Sequence, residues 1–216
     1  MKIAMKKTVL AFATLLAGST MANAADLAES IAYDWSGLYG GVHAGYLWGD
    51  VSLVENGGGV PGGGIDGFVV GPLAGFNMQF DNLVFGIEGD FAWSEADGHG
   101  QAQPPEPDFD YDLNWDAHVR ARAGFASDNL LFFVAGGLAL ADLDITEIGG
   151  PVRGTTYYGF TIGGGVDYGF SENLVGRVEY LHDEFGKENY TDGNDTYRAD
   201  LTNDTVRAAI IYNFGN

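Results

Sequence analysis

The chain has no cysteine in its 216 residues, which excludes a fold held together by disulfides. Past its first two dozen residues it also lacks any apolar stretch of the roughly 20 residues that a membrane-spanning helix requires. Basic residues are scarce: 10 Lys and Arg stand against 30 Asp and Glu, a formal charge of −20. That balance excludes nucleic acid as a partner, because a phosphate backbone demands a basic face.

Part of the little basic charge is gathered at the start. Lys2, Lys6 and Lys7 precede a largely apolar run over residues 8–17, then Ala22-Asn23-Ala24. Basic, apolar and small-residue segments in that order predict a secretory signal peptide, residues 1–24, cut after Ala24. The run is too short for a transmembrane anchor. The remainder reads as a lead-in segment, residues 25–35, and one domain, residues 36–216. Exported without cysteine, it must draw its stability from elsewhere.

What is abundant is strand and turn chemistry. The mean hydropathy of −0.03 is that of an ordinary soluble protein, yet there are 34 Gly, 11 Tyr and 14 Phe. A membrane β-barrel has this profile, since an inward polar residue at every second position dilutes its apolar ones. The tetrads Phe80-Asp81-Asn82-Leu83, Ser127-Asp128-Asn129-Leu130 and Ser171-Glu172-Asn173-Leu174 repeat one acid-Asn-Leu turn at nearly constant spacing. Their Asn residues are expected to take the left-handed backbone of the turn. Between them lie longer polar stretches, residues 50–66, 95–112, 142–155 and 183–203, expected to be loops. Alternating short turns and long loops is the connection pattern of an outer-membrane barrel.

Period-two reading of the rest gives eight strands: residues 38–48, 68–80, 83–93, 113–125, 130–140, 158–170, 174–180 and 206–214. One face of all eight carries no charge. In a soluble sandwich that face would be the core. Three features favour a barrel in lipid. Most strands reach the roughly 9–11 residues that a tilted membrane strand needs. Aromatics cluster at both ends of the apolar face: Tyr46, Trp48, Trp93, Trp115 and Tyr158 on the loop side, Phe80, Phe125, Phe170, Tyr212 and Phe214 on the turn side, a double girdle. The opposite face carries Glu88, Asp90, Asn114, Asp116, His118, Arg120, Arg122, Asp167, Arg177, Glu179 and Arg207, too charged for a second apolar layer but suited to an enclosed polar lumen. Pro72, inside the second strand, predicts a bulge or local irregularity. The fold expected is an all-β, eight-stranded antiparallel up-and-down transmembrane β-barrel in the outer membrane.

Several motifs also resemble a family. Asp34-Trp35-Ser36-Gly37-Leu38-Tyr39-Gly40-Gly41 with Ala44-Gly45-Tyr46, Gly136-Gly137-Leu138-Ala139, Arg177-Val178-Glu179-Tyr180-Leu181 and the closing Thr205-Val206-Arg207 … Tyr212-Asn213-Phe214 are similar to the small alphaproteobacterial outer-membrane immunogenic, or porin-family, proteins. The resemblance spans nearly all of the exported chain. It implies an OmpA-like eight-stranded barrel with surface-exposed antigenic loops, and no single biochemical activity. Members often end on an aromatic, whereas Gly215-Asn216 follow Phe214 here.

An eight-stranded barrel is only wide enough for side chains to fill, so the inward charges must pair with one another. The expectation is a structural role with a lumen plugged by Glu88, Asp90, Asp116, His118, Arg120, Arg122, Asp167, Arg177, Glu179 and Arg207. The alternative is a minor channel gated by rearrangement of those pairs. The acidic loops, with Glu95, Asp97, Asp110 and Asp112 in one and Asp183, Glu184 and Asp200 in another, suggest divalent cations bridging to lipopolysaccharide phosphates. Outer-membrane lipids, the outer-membrane assembly machinery and host or phage surface molecules are the other expected partners. Gly57-Gly58-Gly59 and Gly62-Gly63-Gly64 lack the Lys-Ser/Thr of a phosphate cradle and read as flexible loop. Asp192-Gly193-Asn194-Asp195 lacks the bidentate Glu of a calcium loop. Ser94, His99, His118 and His182 are the residues available to a lipid-modifying barrel enzyme, but no spacing sets a nucleophile beside a base. Haem capture by the loops has no supporting pattern. Neither catalysis nor a cofactor is expected.

Overall fold

A computed structural model describes residues 33–55, 58–100, 108–147, 152–185, 188–192 and 195–215. The expected signal peptide and the segments between these stretches lie outside the described residues. The strands are β1 (Gly37–Glu55), β2 (Gly58–Phe80), β3 (Leu83–Gly100), β4 (Phe109–Ser127), β5 (Leu130–Glu147), β6 (Val152–Gly169), β7 (Leu174–Phe185), β8 (Glu188–Asp192) and β9 (Asp195–Asn213). Neighbours pair antiparallel from β1 to β7, β7 pairs with β9, and β9 returns to β1. Because β8 pairs with β9 beyond the end of β7, the two share one place in the wall. The result is a closed eight-stranded barrel.

The wall is taller than the outward apolar pattern indicates. Residues 50–66, 95–112, 142–155 and 183–203, expected as loops, are mostly strand, and so is the glycine-rich start of β2, where Gly59 pairs with Val54 and Gly63 with Val51. The 19 residues of β1 at roughly 3.3 Å each span about 60 Å of chain, or about 45–50 Å of height at a ~40° tilt. The apolar band of an outer-membrane barrel is only ~25 Å tall, so about half of the wall stands in water.

There the two faces exchange chemistry. In the lower half Leu38, Phe68, Ile87, Val119, Val134, Leu138, Ile162 and Ile210 point out, exposed. In the upper half the outward row is acidic: Asp66 pairs with Asp97, Asp97 with Asp112, and Asp112 with Asp144. The inward residues of that half, among them Val51, Ile65, Ala96, Tyr111, Leu113, Leu143, Phe185 and Leu201, form a buried apolar cluster. Burial pushes the Tyr111 hydroxyl pKa up from its usual value. Lipid outside calls for an apolar exterior; water outside calls for an apolar interior. Tyrosines mark the crossing, with Tyr46 donating to Asp66 and Tyr180 donating to Asp204 at 2.5 Å.

A bulge adjusts the inward set. The register between β4 and β5 shifts between Leu113 and Trp115, so Asn114, expected inside, is outside and donates to Asp142 (3.2 Å) and Asp144 (3.0 Å). One extra residue reverses the parity beyond it, which brings Leu113 and Tyr111 inward. Pro72 causes no bulge: β2 keeps one register with β1 and β3 through it. The irregularity at Pro72 is a local loss of pairing, the bridges from Gly71 and Pro72 to β3 being missing. Pro72 has no N–H for its register partner Phe91, and His43 Nε2 lies 3.3 Å from the Phe91 carbonyl instead. A Cβ on Gly71 would collide with that same carbonyl oxygen.

The repeated turns do more than reverse the chain. The left-handed residue is the acid, Asp81 (φ 53°) and Asp128 (φ 51°), not the Asn. The Asn side chains reach sideways: Asn82 Nδ2 donates to Ala126 O (2.9 Å), Asn129 Nδ2 to Gly169 O (3.1 Å) and Asn173 Nδ2 to Asn213 O (2.8 Å). The same carbonyl-bearing residues send back an N–H, Ala126 to Asn82 O, Gly169 to Asn129 O and Asn213 to Asn173 O. Each repeat thus staples one hairpin to the end of the next. Beneath this rim Tyr33 and Trp35, rings 4.4 Å apart, join Tyr39, Leu73, Val84, Leu131, Val175 and Ile211 in a second buried apolar cluster.

Replacing Asn82, Asn129 and Asn173 together by Ala removes three side-chain bonds worth about 1 kcal/mol each. The unfolding free energy from urea titration of the barrel folded in detergent should fall by about 3 kcal/mol in all, and an unchanged midpoint would show that the staples are idle.

Candidate functional site

Between the two apolar clusters lies a charged layer, and strand register assembles its first contacts. Glu88 faces Arg120 and Asp90 faces His118 across β3 and β4; Asp167 faces Arg177 across β6 and β7; Glu179 faces Arg207 across β7 and β9. Each pair sits on inward positions of adjacent strands, so a local sequence choice places opposite charges within reach.

Long side chains then cross the lumen. Arg120 donates to Glu179 Oε1 (2.7 Å), Glu88 Oε1 (2.6 Å) and Asp90 Oδ2 (3.0 Å). Arg177 takes Asp167 through Nε (2.7 Å) and Nη2 (3.0 Å) while its Nη1 reaches Glu88 Oε2 (2.6 Å). Arg207 spans Glu179 Oε2 (2.9 Å) and Asp90 (2.7 and 3.2 Å). Arg122 donates to Asp167 Oδ2 (2.8 Å) and to the Tyr39 hydroxyl (3.1 Å), which itself donates to Glu88 Oε2 (2.7 Å). All these side chains are buried. The planar fork of Arg suits such two-ended contacts, and a layer in which nearly every donor is used is stiff.

Two neighbours shape the layer without bearing charge. The Phe133 ring lies under two guanidinium groups, with Arg122 Cζ 4.1 Å and Arg177 Cζ 4.8 Å from its centroid. Gly75 lies between Tyr39 and Glu88 in register, and a Cβ there would enter the Tyr39 ring. Glycine is what lets that hydroxyl reach its carboxylate.

All ten expected lumen residues lie in this layer, and His118 Nδ1 is 2.9 Å from Asp90 Oδ1. Asp183, expected in a loop, also points inward and is 1% exposed, its Oδ1 3.3 Å from His118 Nε2. Its signal was the odd-numbered run Arg177, Glu179, Leu181, Asp183, which continues one inward face. Phe133 carried no such signal, being one apolar residue among many. Tyr46, Trp48, Trp93, Tyr158, Phe80, Phe125, Phe170, Tyr212 and Phe214 are exposed on the outer wall. Trp115 is half-buried, stacked on Phe91 with centroids 5.7 Å apart. Phe68, Tyr168 and Tyr180 are further exposed outward aromatics. Ser94 and the exposed histidines do not meet: Ser94 Oγ accepts from Ala96 N (3.0 Å), His99 contacts Asp110 (2.5 Å) and His182 contacts Asp204 (2.8 Å).

A closed antiparallel barrel with an apolar band outside and an ion-paired layer inside is an integral outer-membrane barrel. The chain belongs to the outer membrane protein beta-barrel domain family, whose profile matches residues 10–214. The 31 kDa outer-membrane immunogenic protein of Brucella melitensis biotype 1 is 31% identical over 240 residues, covering 97% of this chain and 100% of the relative. The 25 kDa outer-membrane immunogenic protein of Brucella abortus biovar 1 is 28% identical over 221 residues, covering 97% and 99%. The crystal structure of the outer membrane protein OprG from Pseudomonas aeruginosa, 10% identical, matches with a TM-score of 0.56 over 82% of this chain and 97% of that one, a likeness of fold alone. The chain is thus an outer-membrane protein.

Arg120 touches three carboxylates, so Arg120→Met should lower stability by about 3–5 kcal/mol through the charges it strands. Val119→Leu, one residue away on the outer face, should change it by less than about 0.5 kcal/mol. Urea unfolding in lipid vesicles separates the two; equal effects would mean the layer contributes nothing.

Proposed function

We propose that this chain is a structural and surface-interaction barrel of the outer membrane, closed to solutes and without catalytic activity. One observation carries the reading. The lumen is filled in three levels, an apolar cluster on the loop side, the charged layer and an apolar cluster on the turn side. A solute would have to cross two apolar layers and break buried ion pairs between them. Opening a gate by moving Arg177 or Arg207 takes one guanidinium contact from Glu88 and Asp167 in the first case and from Asp90 and Glu179 in the second.

Surface interaction is supported from outside the membrane. The upper half of the wall carries Asp66, Asp97, Asp112 and Asp144 side by side, directly above the aromatic belt. Like charges directly opposite one another destabilise a sheet. A divalent cation between them and lipopolysaccharide phosphates relieves both sets of negative charge, since hard cations take oxygen ligands. The immunogenic relatives support recognition of the exposed part by host molecules. The non-enzymatic reading draws on those same relatives and on a Ser94 hydroxyl engaged with its own strand. Assembly machinery of the outer membrane is the other expected partner.

Planar-bilayer recordings of the folded protein should stay flat, and Trp35→Ala, which removes only part of the turn-side cluster, should leave them flat. Reproducible single-channel steps from the unaltered protein would replace this reading with the gated channel.

A further inference from the structure

The wall is closed only as high as β7 reaches. β6 and β7 stay in register up to Gly159 and Phe185. At the same offset β8 would set Glu188 opposite Thr156 and Asp192 opposite Val152. Among the described residues no such pairs form: β8 is bonded to β9 alone, and β6 from Val152 to Thr156 is bonded to β5 alone. A seam therefore runs down the upper wall between β6 and β8. Exposure marks it. Thr155 takes an inward position and is exposed, whereas its register partner Leu143 on β5 is buried. At the foot of the seam Tyr157 and Phe185 are buried in the loop-side apolar cluster, so the seam opens the wall and not the lumen.

An open edge presents a row of unpaired N–H and C=O groups, and natural sheets blunt such edges with Lys, Pro or a bulge. β6 uses none of these. From Val152 to Tyr158 it holds no Lys and no Pro, and Arg153 is its one charge. Its register with β5 is unbroken there. Val152, Thr155, Thr156, Tyr157 and Tyr158 are residue types that favour strands.

The side chains beside the edge select what it takes. On the outward face the edge carries Gly154 and Thr156, whose register partners on β5 are Asp144 and Asp142. Gly154 sets no side chain between an added strand and Asp144, and a Cβ there would crowd Asp144 Oδ1. A Lys or Arg facing Gly154 from a strand ~4.8 Å away reaches over it to that carboxylate. Glu184, exposed on the outer face at the head of β7, flanks the other side. On the inward face the neighbours are Leu143, Tyr157 and Phe185 of the apolar cluster. The strand that fits carries basic residues outward and apolar residues inward, at alternate positions. A second copy of this chain does not fit, because two β6 edges would bring Asp142 and Asp144 of one acidic wall against those of the other.

We propose, resting on the surface-interaction reading, that the open edge of β6 over Val152–Tyr158 binds an extended, alternately basic and apolar segment of a partner polypeptide by strand addition. Main-chain hydrogen bonds supply the affinity and the alternate side chains the choice of segment. The added strand completes the wall above β7, its basic residues answering acids that the bare protein leaves facing water.

The probe is a seven-residue peptide alternating Lys and Val, added to the full exported chain folded in nanodiscs, with backbone hydrogen exchange of the barrel followed by mass spectrometry. Saturating peptide should slow exchange at least about tenfold at the amides of residues 152–158 that face the seam. The same peptide methylated on every backbone nitrogen keeps its charge and should bind at least about tenfold more weakly. Spermine, which has charge and no peptide backbone, should protect nothing there. Gly154→Lys sets a like charge against the incoming basic residue and should weaken peptide binding at least about tenfold. Asp97→Asn/Asp112→Asn, on the acidic row away from the seam, should leave the protection in place. If Gly154→Lys fails to fold, as heat-modifiable gel mobility reports, the methylated peptide on the unaltered barrel decides. Absence of protection over residues 152–158, or equal protection by the methylated peptide or by spermine, overturns the edge site. Neither result alters flat bilayer recordings or cation binding on the acidic row, so the edge site and the surface-interaction reading fail separately.

Discussion

A strand that stands half in lipid and half in water must exchange the chemistry of its faces without changing its period. The rest of the structure follows from that constraint. β5 shows it within one element: Leu130, Phe132, Val134, Leu138 and Leu140 point outward, then Asp142 and Asp144 on the same face, while Ala139, Ala141 and Leu143 continue the inner one. Where lipid covers the outside, ion pairs hold the middle of the interior and a smaller apolar cluster closes it at the turn side. Where water covers the outside, ordinary apolar burial resumes. The aromatic belt and the Tyr–Asp contacts of Tyr46 and Tyr180 sit where one regime gives way to the other.

The charged layer also protects register. A one-residue slip would turn every charge toward lipid. A two-residue slip keeps faces but changes partners: between β6 and β7, where Asp167 faces Arg177, it sets Asp167 opposite Glu179 in one direction. Like charges in that position oppose the slip. The bulge at Asn114 contributes at the top of the same wall, moving Tyr111 and Leu113 into the apolar cluster that closes it. Ion pairs below and apolar packing above therefore specify one alignment by different means.

The eight strands, the uncharged lipid face and all ten lumen residues were legible in the sequence, because period-two alternation reports them directly. Strand length was not. Residues 141–146 alternate as strictly as those before them, but the apolar residues have moved to the other face, so a reading that follows outward apolar residues stops at Leu140. Asp183 was lost the same way. The turns were found from their acid-Asn-Leu repeat, yet the roles of their residues were not. Which residue takes the positive φ is a local backbone matter, and the staples join residues 40 to 44 apart, a distance at which alternation is silent. At Pro72 the local loss of pairing was legible from the missing donor, but not that the register would hold through it or that His43 from β1 would reach the same carbonyl.

Closing the lumen beneath the hairpin ends separates two duties that a small barrel would otherwise have to share. Leu143, Tyr111, Phe185 and Leu201 complete the interior below the uppermost residues, so what lies above them is not needed to fill the core. Sequence there is free to answer to whatever meets the cell surface, while the wall answers only to lipid, water and its own charges. The exterior acidic row belongs to neither set alone. Its four aspartates lie in one register line from β2 to β5 and repel one another in the bare protein. A barrel of this kind is a post rather than a pore, its interior fixed by pairing and its exterior completed by the membrane in which it stands.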